Sequence, residues 1–125
     1  MFKSVLSRLL FSAFLAVALP SFAAEGWVDD FEQAKKLAAE KGVPILVNFS
    51  GSDWCGWCIR LDREVFGEAE FKKYAAENLV LFIADFPRRK ELPEKTAKQN
   101  RDLAEKIGIM GFPTEIGRAS CRERV

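Results

Sequence analysis

The sequence predicts a single α/β domain built around a parallel sheet. Its 125 residues, 49% hydrophobic and 30% charged, amount to one small globular domain. Two short apolar runs, 43–49 and 79–84, have the β-branched composition of strands that are buried on both faces. Segments with helical spacing of apolar residues alternate with these runs, and such alternation favours parallel strands joined by right-handed crossovers.

The first helix is predicted between Asp30 and Gly42. Asp30 is an N-cap candidate with Gln33 three residues later, as in a capping box, and apolar residues follow at helical spacing. Gly42 is expected to end this helix. The strand predicted at 43–49 accommodates Pro44 because the proline stands at its start.

Three further helices are predicted, at 54 to about 66, at 68–78 and at 94–107. The turn 50–53 precedes the helix that begins at 54, and the strand 79–84 follows the helix at 68–78. A polar loop, 87–93, leads to the helix at 94–107, which Gly108 is expected to end. The side chains of these helices that are expected to face the core are Ile59, Leu61, Val65, Phe71, Tyr74, Ala75, Ala97, Leu103, Ala104 and Ile107.

Charge and composition exclude several classes of function. The chain carries 19 Lys and Arg against 18 Asp and Glu, so it lacks the basic surplus that binds a phosphate backbone, and we expect no nucleic-acid partner. It contains no His, which excludes catalysis by His and His-ligated metal or haem sites built from this sequence alone. Cys, carboxylates, Lys, Ser and Thr remain as reactive groups.

The first 23 residues have the pattern of a secretory signal peptide. Lys3 and Arg8 open it, an apolar run follows at 9–19, and the small residues Ser21 and Ala23 favour cleavage after Ala23. The apolar run is shorter than the roughly 20 residues of a spanning helix, although an uncleaved anchor stays an alternative. We therefore expect a periplasmic or otherwise exported protein without a stable membrane anchor after cleavage, in a compartment where disulfides persist.

Residues 116–125 are unlike the rest of the chain. They show no apolar period, and they resemble one reading frame of a common short-read sequencing adapter. We expect a non-native tail, with a genuine basic tail as the alternative. On this interpretation Cys121 has no function, Glu115 owes part of its codon to the junction, and the domain is an incomplete one spanning 24–115.

Cys55 and Cys58 stand in the segment WCGWC, 54–58, at the predicted junction of a strand with a helix. The first helical turn stabilises a thiolate, and a spacing of two residues brings the second sulfur within reach of a mixed disulfide on the first. The pattern favours thiol–disulfide exchange without a metal or cofactor. A zinc site, which needs two further ligands, and a purely structural disulfide, which gains little from so short a loop, remain alternatives.

Three segments, ILVNF at 45–49, WCGWC at 54–58 and GIMGFPT at 108–114, resemble in order the hallmark segments of the thioredoxin superfamily. The stretches 49–58 and 61–66 are most similar to exported bacterial thioredoxin-like proteins related to periplasmic disulfide-interchange proteins. The resemblance covers nearly all of 24–115. It implies a three-layer fold with a central mixed sheet, lacking the C-terminal hairpin and the last helix.

The resemblance also implies roles for single residues. Cys55 matches the attacking cysteine and Cys58 the resolving cysteine. Pro113 matches the cis proline whose neighbouring backbone pairs with the substrate chain, and Phe112 precedes it. The residues expected to contact substrate are Trp54, Gly56, Trp57, Phe112 and Pro113.

Departures from the family pattern bear on the direction of electron flow. Asn48 stands where thioredoxin has a buried Asp that assists proton transfer, and an amide does not take up that proton at neutral pH. Asp53 and Asp85 are candidates to compensate, although both fit ordinary turn or strand-end residues. Gly56 and Trp57 replace both the Gly-Pro of reducing thioredoxins and the His-bearing pairs of strong oxidants. We therefore expect a reductase or isomerase rather than a primary oxidase.

The resemblance implies exported protein disulfides as substrates and a membrane thiol reductase as electron donor. A redox-inactive binding or chaperone-like module is the alternative. The basic loop 88–90 is expected to be solvated, with partner docking as the alternative. Without the missing hairpin the strand 45–49 is expected to be an unprotected edge, so the 125-residue chain is expected to fold poorly or aggregate.

Overall fold

The computed structural model describes residues 26–117, which form one four-stranded sheet with helices on both faces. The strands are β1 (Trp27–Val28), β2 (Ile45–Ser50), β3 (Val80–Asp85) and β4 (Thr114–Ile116). The helices are α1 (Phe31–Lys41), α2 (Gly56–Leu61), α3 (Ala69–Asn78) and α4 (Glu94–Ile107), and a π-helical turn, Asp62–Phe66, continues α2. The strand order is β1-β3-β2-β4, with β3 parallel to β1 and β2, and β4 antiparallel to β2.

The ends of α1 and α4 confirm the signals in the sequence. The N-cap Asp30 accepts a hydrogen bond from the backbone N–H of Gln33 at 3.0 Å. α1 ends at Gly42, with φ 66°, and α4 ends at Gly108, with φ 78°, both in the left-handed region that glycine adopts without strain. α4 has the predicted bounds.

Two apolar clusters lie on opposite faces of the sheet. The cluster on one face contains Phe82, which is fully buried, together with Ala34 of α1 and Leu103 of α4. The cluster on the other face contains Leu81 of β3 and Phe66, and α2 and α3 pack against it. The sheet is therefore covered on both sides, which confirms the three-layer α/β fold and its mixed sheet.

The helix after the cysteines differs from its prediction. Ile59 and Val65, which are expected in the core, are 47% and 42% exposed, whereas Cys58 and Phe66 are buried. The π-helical turn places more residues in each turn than an α-helix does, and it thereby turns Phe66 rather than Val65 towards the sheet.

Other differences concern short signals and borders. Tyr74 is 58% exposed because it lies at the border of the narrow stripe that Phe71 and Ala75 present to the sheet. β2 and β3 begin and end one or two residues later than predicted, so Pro44 precedes its strand and Leu79 caps α3. β1 is absent from the prediction because two residues are too short to show a period.

The edge of β2 that is expected to be unprotected is partly covered. β4 pairs with residues 47–49 of β2, which corrects the expectation for these three residues and places Ile116, assigned above to the tail, in a strand. Within the described chain, Ile45 and Leu46 pair with β3 alone. An apolar cavity of about 480 Å³ beside Ile45 is lined in part by Phe31, Ala38 and Val43.

The predicted signal peptide, 1–23, and Cys121 of the predicted tail lie outside the described residues. Of the helices between residues 26 and 117, none is long and apolar enough to cross a membrane.

Candidate functional site

Residues 51–58, the cysteine turn, join the end of β2 to α2. The carbonyl of Gly51 accepts hydrogen bonds from the N–H groups of Trp54 at 3.2 Å and Cys55 at 2.9 Å. Cys55 is the N-cap of α2. The prediction, which begins the helix at residue 54, places Cys55 inside the first turn. Its Sγ accepts a hydrogen bond from the N–H of Cys58 at 3.2 Å, in the place that an oxygen usually takes at a helix start.

A disulfide joins Cys55 to Cys58, whose Cα atoms are 5.2 Å apart. Both residues are buried, with 6% and 4% of their surface exposed. The Sγ of Cys58 also faces a backbone donor, the N–H of Gly51 at 3.5 Å. Each sulfur of the pair therefore has an N–H group directed at it, and such groups stabilise a thiolate once the disulfide is reduced.

Trp54 connects the cysteine turn to two other segments. Its indole Nε1 donates a hydrogen bond to the carbonyl of Phe86 at 2.7 Å, and its ring meets Phe112 edge-on with centroids 5.8 Å apart. The guanidinium of Arg88 lies 3.7 Å from the centroid of the same ring. The ring is also so close to Gly51 that a Cβ there would lie 2.5 Å from an indole carbon, so this turn requires glycine.

The remaining residues predicted to contact substrate lie around this centre. The peptide bond between Phe112 and Pro113 is cis, as the resemblance implies. Phe112 packs between the rings of Trp54 and Phe86, so the structure links the segment before Pro113 to the cysteine turn. Gly56 is the first residue of α2 and is exposed.

Trp57 is the most exposed apolar side chain of the cysteine turn. It is 70% exposed, and the guanidinium of Arg60 lies 5.7 Å from its ring centroid. Glu64 binds the Nε of Arg60 through both carboxylate oxygens, at 3.0 and 2.9 Å. Trp57 therefore presents an exposed apolar surface at a position between the two cysteines in the sequence.

The carboxylates of Asp53 and Asp85 are both engaged in holding the backbone around the cysteine turn. Asp53 accepts hydrogen bonds from the N–H groups of Arg88 at 2.9 Å and Arg89 at 2.8 Å, and the first of these bonds holds its pKa below the ordinary value. Asp85 accepts hydrogen bonds from the N–H and the hydroxyl of Ser52, at 2.9 and 2.6 Å. Both carboxylates thus lie in the turn and at the strand end, where the sequence places them, and bind backbone N–H groups there.

Asn48 is a buried polar residue without a partner for its oxygen. It is 6% exposed, and among the described residues no hydrogen-bond donor reaches its Oδ1. Because side chains alternate along a strand, Asn48 of β2 faces the same side of the sheet as Leu46, which packs in the cluster beneath α2 and α3. The residue that the resemblance aligns with the buried acid of thioredoxin is thus an amide whose oxygen has no partner among the described residues.

Replacing Asn48 by Leu is expected to raise the free energy of unfolding by about 1 kcal/mol, because the change removes an unsatisfied buried oxygen and keeps the number and branching of the side-chain heavy atoms. Urea unfolding measures this effect. Asn78→Leu is the matched control, since Asn78 is exposed and its side chain donates to the carbonyl of Tyr74 in its own helix. A large loss of stability in Asn48→Leu alone would contradict this prediction.

Two supporting residues were missed in the sequence. Asn100 of α4 is 1% exposed and donates a hydrogen bond to the carbonyl of Asp85 at 2.9 Å. Ser52 binds the carboxylate of Asp85 as described above. Asn100 stands three residues before Leu103 on the inward stripe of α4, and a polar residue in such a stripe is the signal that would have found it.

No group of three or more His, Cys, Asp or Glu residues in the stretch 26–117 is arranged to bind a metal ion. The site of this part of the chain consists of the disulfide, its backbone donors and the aromatic residues around Trp54.

The sequence of this chain is similar to those of two proteins of Chlamydia pneumoniae. Disulfide bond reductase DsbH of Chlamydia pneumoniae is 32% identical over 85 residues, which make up 68% of this chain and 51% of DsbH. Thioredoxin-related protein DsbJ of the same organism is 31% identical over 117 residues, which make up 87% of this chain and 34% of DsbJ. The chain thus spans about half the length of the first relative and about a third of the second.

Solved structures agree with these similarities. The structure of DsbH oxidoreductase matches with a TM-score of 0.68 at 31% identity, covering 73% of this chain and 62% of that one. A thioredoxin from Thermus thermophilus matches with a TM-score of 0.54 at 18% identity and the same coverage, a likeness of fold alone. A family model described as thioredoxin-like matches residues 26–108. From its fold, its cysteine pair and these similarities, the chain belongs to the thioredoxin-like family.

Proposed function

We propose that this domain exchanges thiols and disulfides with exported proteins, as a reductase or isomerase. The observation that carries the proposal is the position of Cys55 at the start of α2, where its Sγ accepts the N–H of Cys58 at 3.2 Å. A thiolate at this place is stabilised by that hydrogen bond, and only the thiolate attacks a disulfide.

The reaction follows from the two sulfurs. The Cys55 thiolate attacks one sulfur of the substrate disulfide, and the other substrate sulfur leaves as a thiolate and takes up a proton. The Cys58 thiol loses its proton and attacks the Sγ of Cys55, which forms the intramolecular disulfide and releases the second substrate thiol. The dithiol has then lost two electrons, and the substrate disulfide has gained them.

The resting disulfide must be reduced again before another cycle. We propose a membrane thiol reductase as the source of the two electrons, which would pass by the same exchange steps in reverse. The name of the relative DsbH, a disulfide bond reductase, supports the reducing direction. The signal peptide predicted at 1–23 supports a periplasmic or otherwise exported location.

The substrate groove is proposed to lie beside the aromatic residues that surround the pair. Trp54, Phe112 and the cis Pro113 would form one wall, with the backbone before Pro113 pairing with the substrate chain. Gly56 and Trp57 would contact substrate from the other side, where Trp57 offers exposed apolar surface and Gly56 leaves room for the approaching chain.

The proposed direction predicts a low reduction potential. The potential of the Cys55–Cys58 pair, measured by equilibration with glutathione or dithiothreitol, is expected at about −180 mV or below, in the range of disulfide isomerases and thioredoxin and not of a strong oxidant. The reduced protein is also expected to precipitate insulin by reducing its disulfides. A potential of about −120 mV would contradict the proposed function and favour an oxidase.

A redox-inactive binding module is the second candidate, and exposed apolar side chains favour it. Met110 is 99% exposed and Trp57 is 70% exposed, which suits contact with unfolded chains. The insulin assay separates the two candidates, since a binding module would slow insulin aggregation without consuming reductant.

A further inference from the structure

The loop after β3 is fastened to the cysteine turn by a chain of contacts that the exchange reaction itself does not use. The carboxylate of Asp53 binds the N–H groups of Arg88 and Arg89, and the guanidinium of Arg88 lies over the ring of Trp54 at 3.7 Å. Trp54 in turn donates to the carbonyl of Phe86 and meets Phe112.

The chain of contacts holds Trp54 on several sides. Arg88 covers one face of the Trp54 ring, and the carbonyl of Phe86 accepts a hydrogen bond from its indole N–H. The ring of Phe112 and the backbone of Gly51 also lie against the indole. Among residues 26–117 the Arg88 guanidinium has no carboxylate partner in direct contact, so the Trp54 ring is the contact that fixes this side chain. By binding the backbone N–H of Arg88, Asp53 fixes the position of the Arg88 backbone and hence where its guanidinium lies.

We propose that Asp53 is a positioning residue for disulfide exchange, which acts through Arg88 to hold Trp54 against Phe112 before substrate binds. This inference rests on the function proposed above, because Trp54, Phe112 and Pro113 form the wall of the proposed substrate groove. A wall that is ordered in advance spares the binding step the entropy of ordering these side chains.

Removing the Asp53 carboxylate should therefore weaken substrate binding and leave the sulfur chemistry unchanged. In Asp53→Ala, the KM for a peptide disulfide is expected to rise about tenfold, the cost of ordering one or two side chains on binding. The kcat and the reduction potential of the Cys55–Cys58 pair are expected to stay near those of the unchanged protein. Asp53→Asn, which keeps one acceptor oxygen, is expected to give an intermediate KM.

Asp102→Ala is the matched control. Asp102 is an exposed carboxylate of α4 whose partner is Lys98, so its loss removes the same charge and one ion pair away from the cysteine turn. Its KM is expected to be unchanged. An equal rise of KM in Asp102→Ala, or an unchanged KM in Asp53→Ala, would overturn the proposal.

A double-mutant cycle keeps the test decisive if Asp53→Ala lowers stability. Arg88→Ala removes the contact with the Trp54 ring and leaves Asp53 in place. If both residues act through Trp54, the double variant should raise KM no more than the larger single change does. Effects that multiply would show independent roles and overturn the proposal.

A further measurement does not depend on activity. Hydrogen exchange of the Trp54 indole N–H, followed by NMR, is expected to be slow in the intact protein and at least several-fold faster in Asp53→Ala, because the hydrogen bond to Phe86 is loosened. Equal exchange rates would overturn the positioning role. If the exchange rates differ but the intact protein reduces no disulfide, the proposed function fails and Asp53 still orders Trp54.

Discussion

The variant Cys58→Ser is expected to accumulate as a covalent complex with its substrate, whereas Cys55→Ser is expected to form none. Cys55 is the sulfur at the helix start, to which the proposed function assigns the first attack, and without Cys58 nothing would resolve the mixed disulfide. Non-reducing electrophoresis followed by mass spectrometry measures the complex. Insulin reduction should fall to the uncatalysed rate in both variants.

The experiment is best carried out with Cys121→Ser as the common background. Cys121 is the third cysteine of the sequence, and its removal leaves the cysteine pair as the source of thiols. Cys121→Ser alone is expected to reduce insulin at the rate of the unchanged protein. Trapping by Cys55→Ser rather than by Cys58→Ser would reverse the roles of the two sulfurs.

Phe82→Ala is expected to lower the free energy of unfolding by about 3–5 kcal/mol. Phe82 is fully buried in the centre of β3, and its ring meets that of Phe31 at 5.1 Å between centroids. The loss combines the transfer of a large apolar side chain with the cavity left behind, and it is a large part of the roughly 5–15 kcal/mol of a typical domain. Urea unfolding followed by circular dichroism measures it.

Tyr74→Ala provides the aromatic control for this change. Tyr74 is 58% exposed on α3, so its removal should alter the free energy of unfolding by less than about 1 kcal/mol. Similar losses in Phe82→Ala and Tyr74→Ala would contradict the burial described for β3. Absence of a cooperative transition in the unchanged protein would instead confirm the expectation that this chain folds poorly.

The sequence predicted the parts of the fold whose signals are local. Gly42 and Gly108 mark helix ends because few other residues adopt a left-handed backbone, and both ends are found where predicted. The two long strands are visible as apolar runs. The short β1 is not, because two residues carry no period and its pairing with β3 is a tertiary property.

The site was predictable as far as its motif extends. Cys55 and Cys58 are bonded as their spacing suggests. The roles of Asp53 and Asn100 depend on partners at distant positions, Arg88 and Asp85, which no local pattern connects. The exposure of Val65 depends on a π-helical turn, for which the residues carry no clear signal.

Because Trp54 lies so close to Gly51, substitutions at these two positions are expected to depend on each other during evolution. A methyl group at residue 51 would overlap the indole, so an alanine there becomes tolerable only after residue 54 has become smaller. A lineage that loses the glycine first would have to move the indole or the backbone of the cysteine turn. Directed evolution of this domain should therefore vary residues 51 and 54 together in one library, since a library at residue 51 alone meets the overlap with the intact indole.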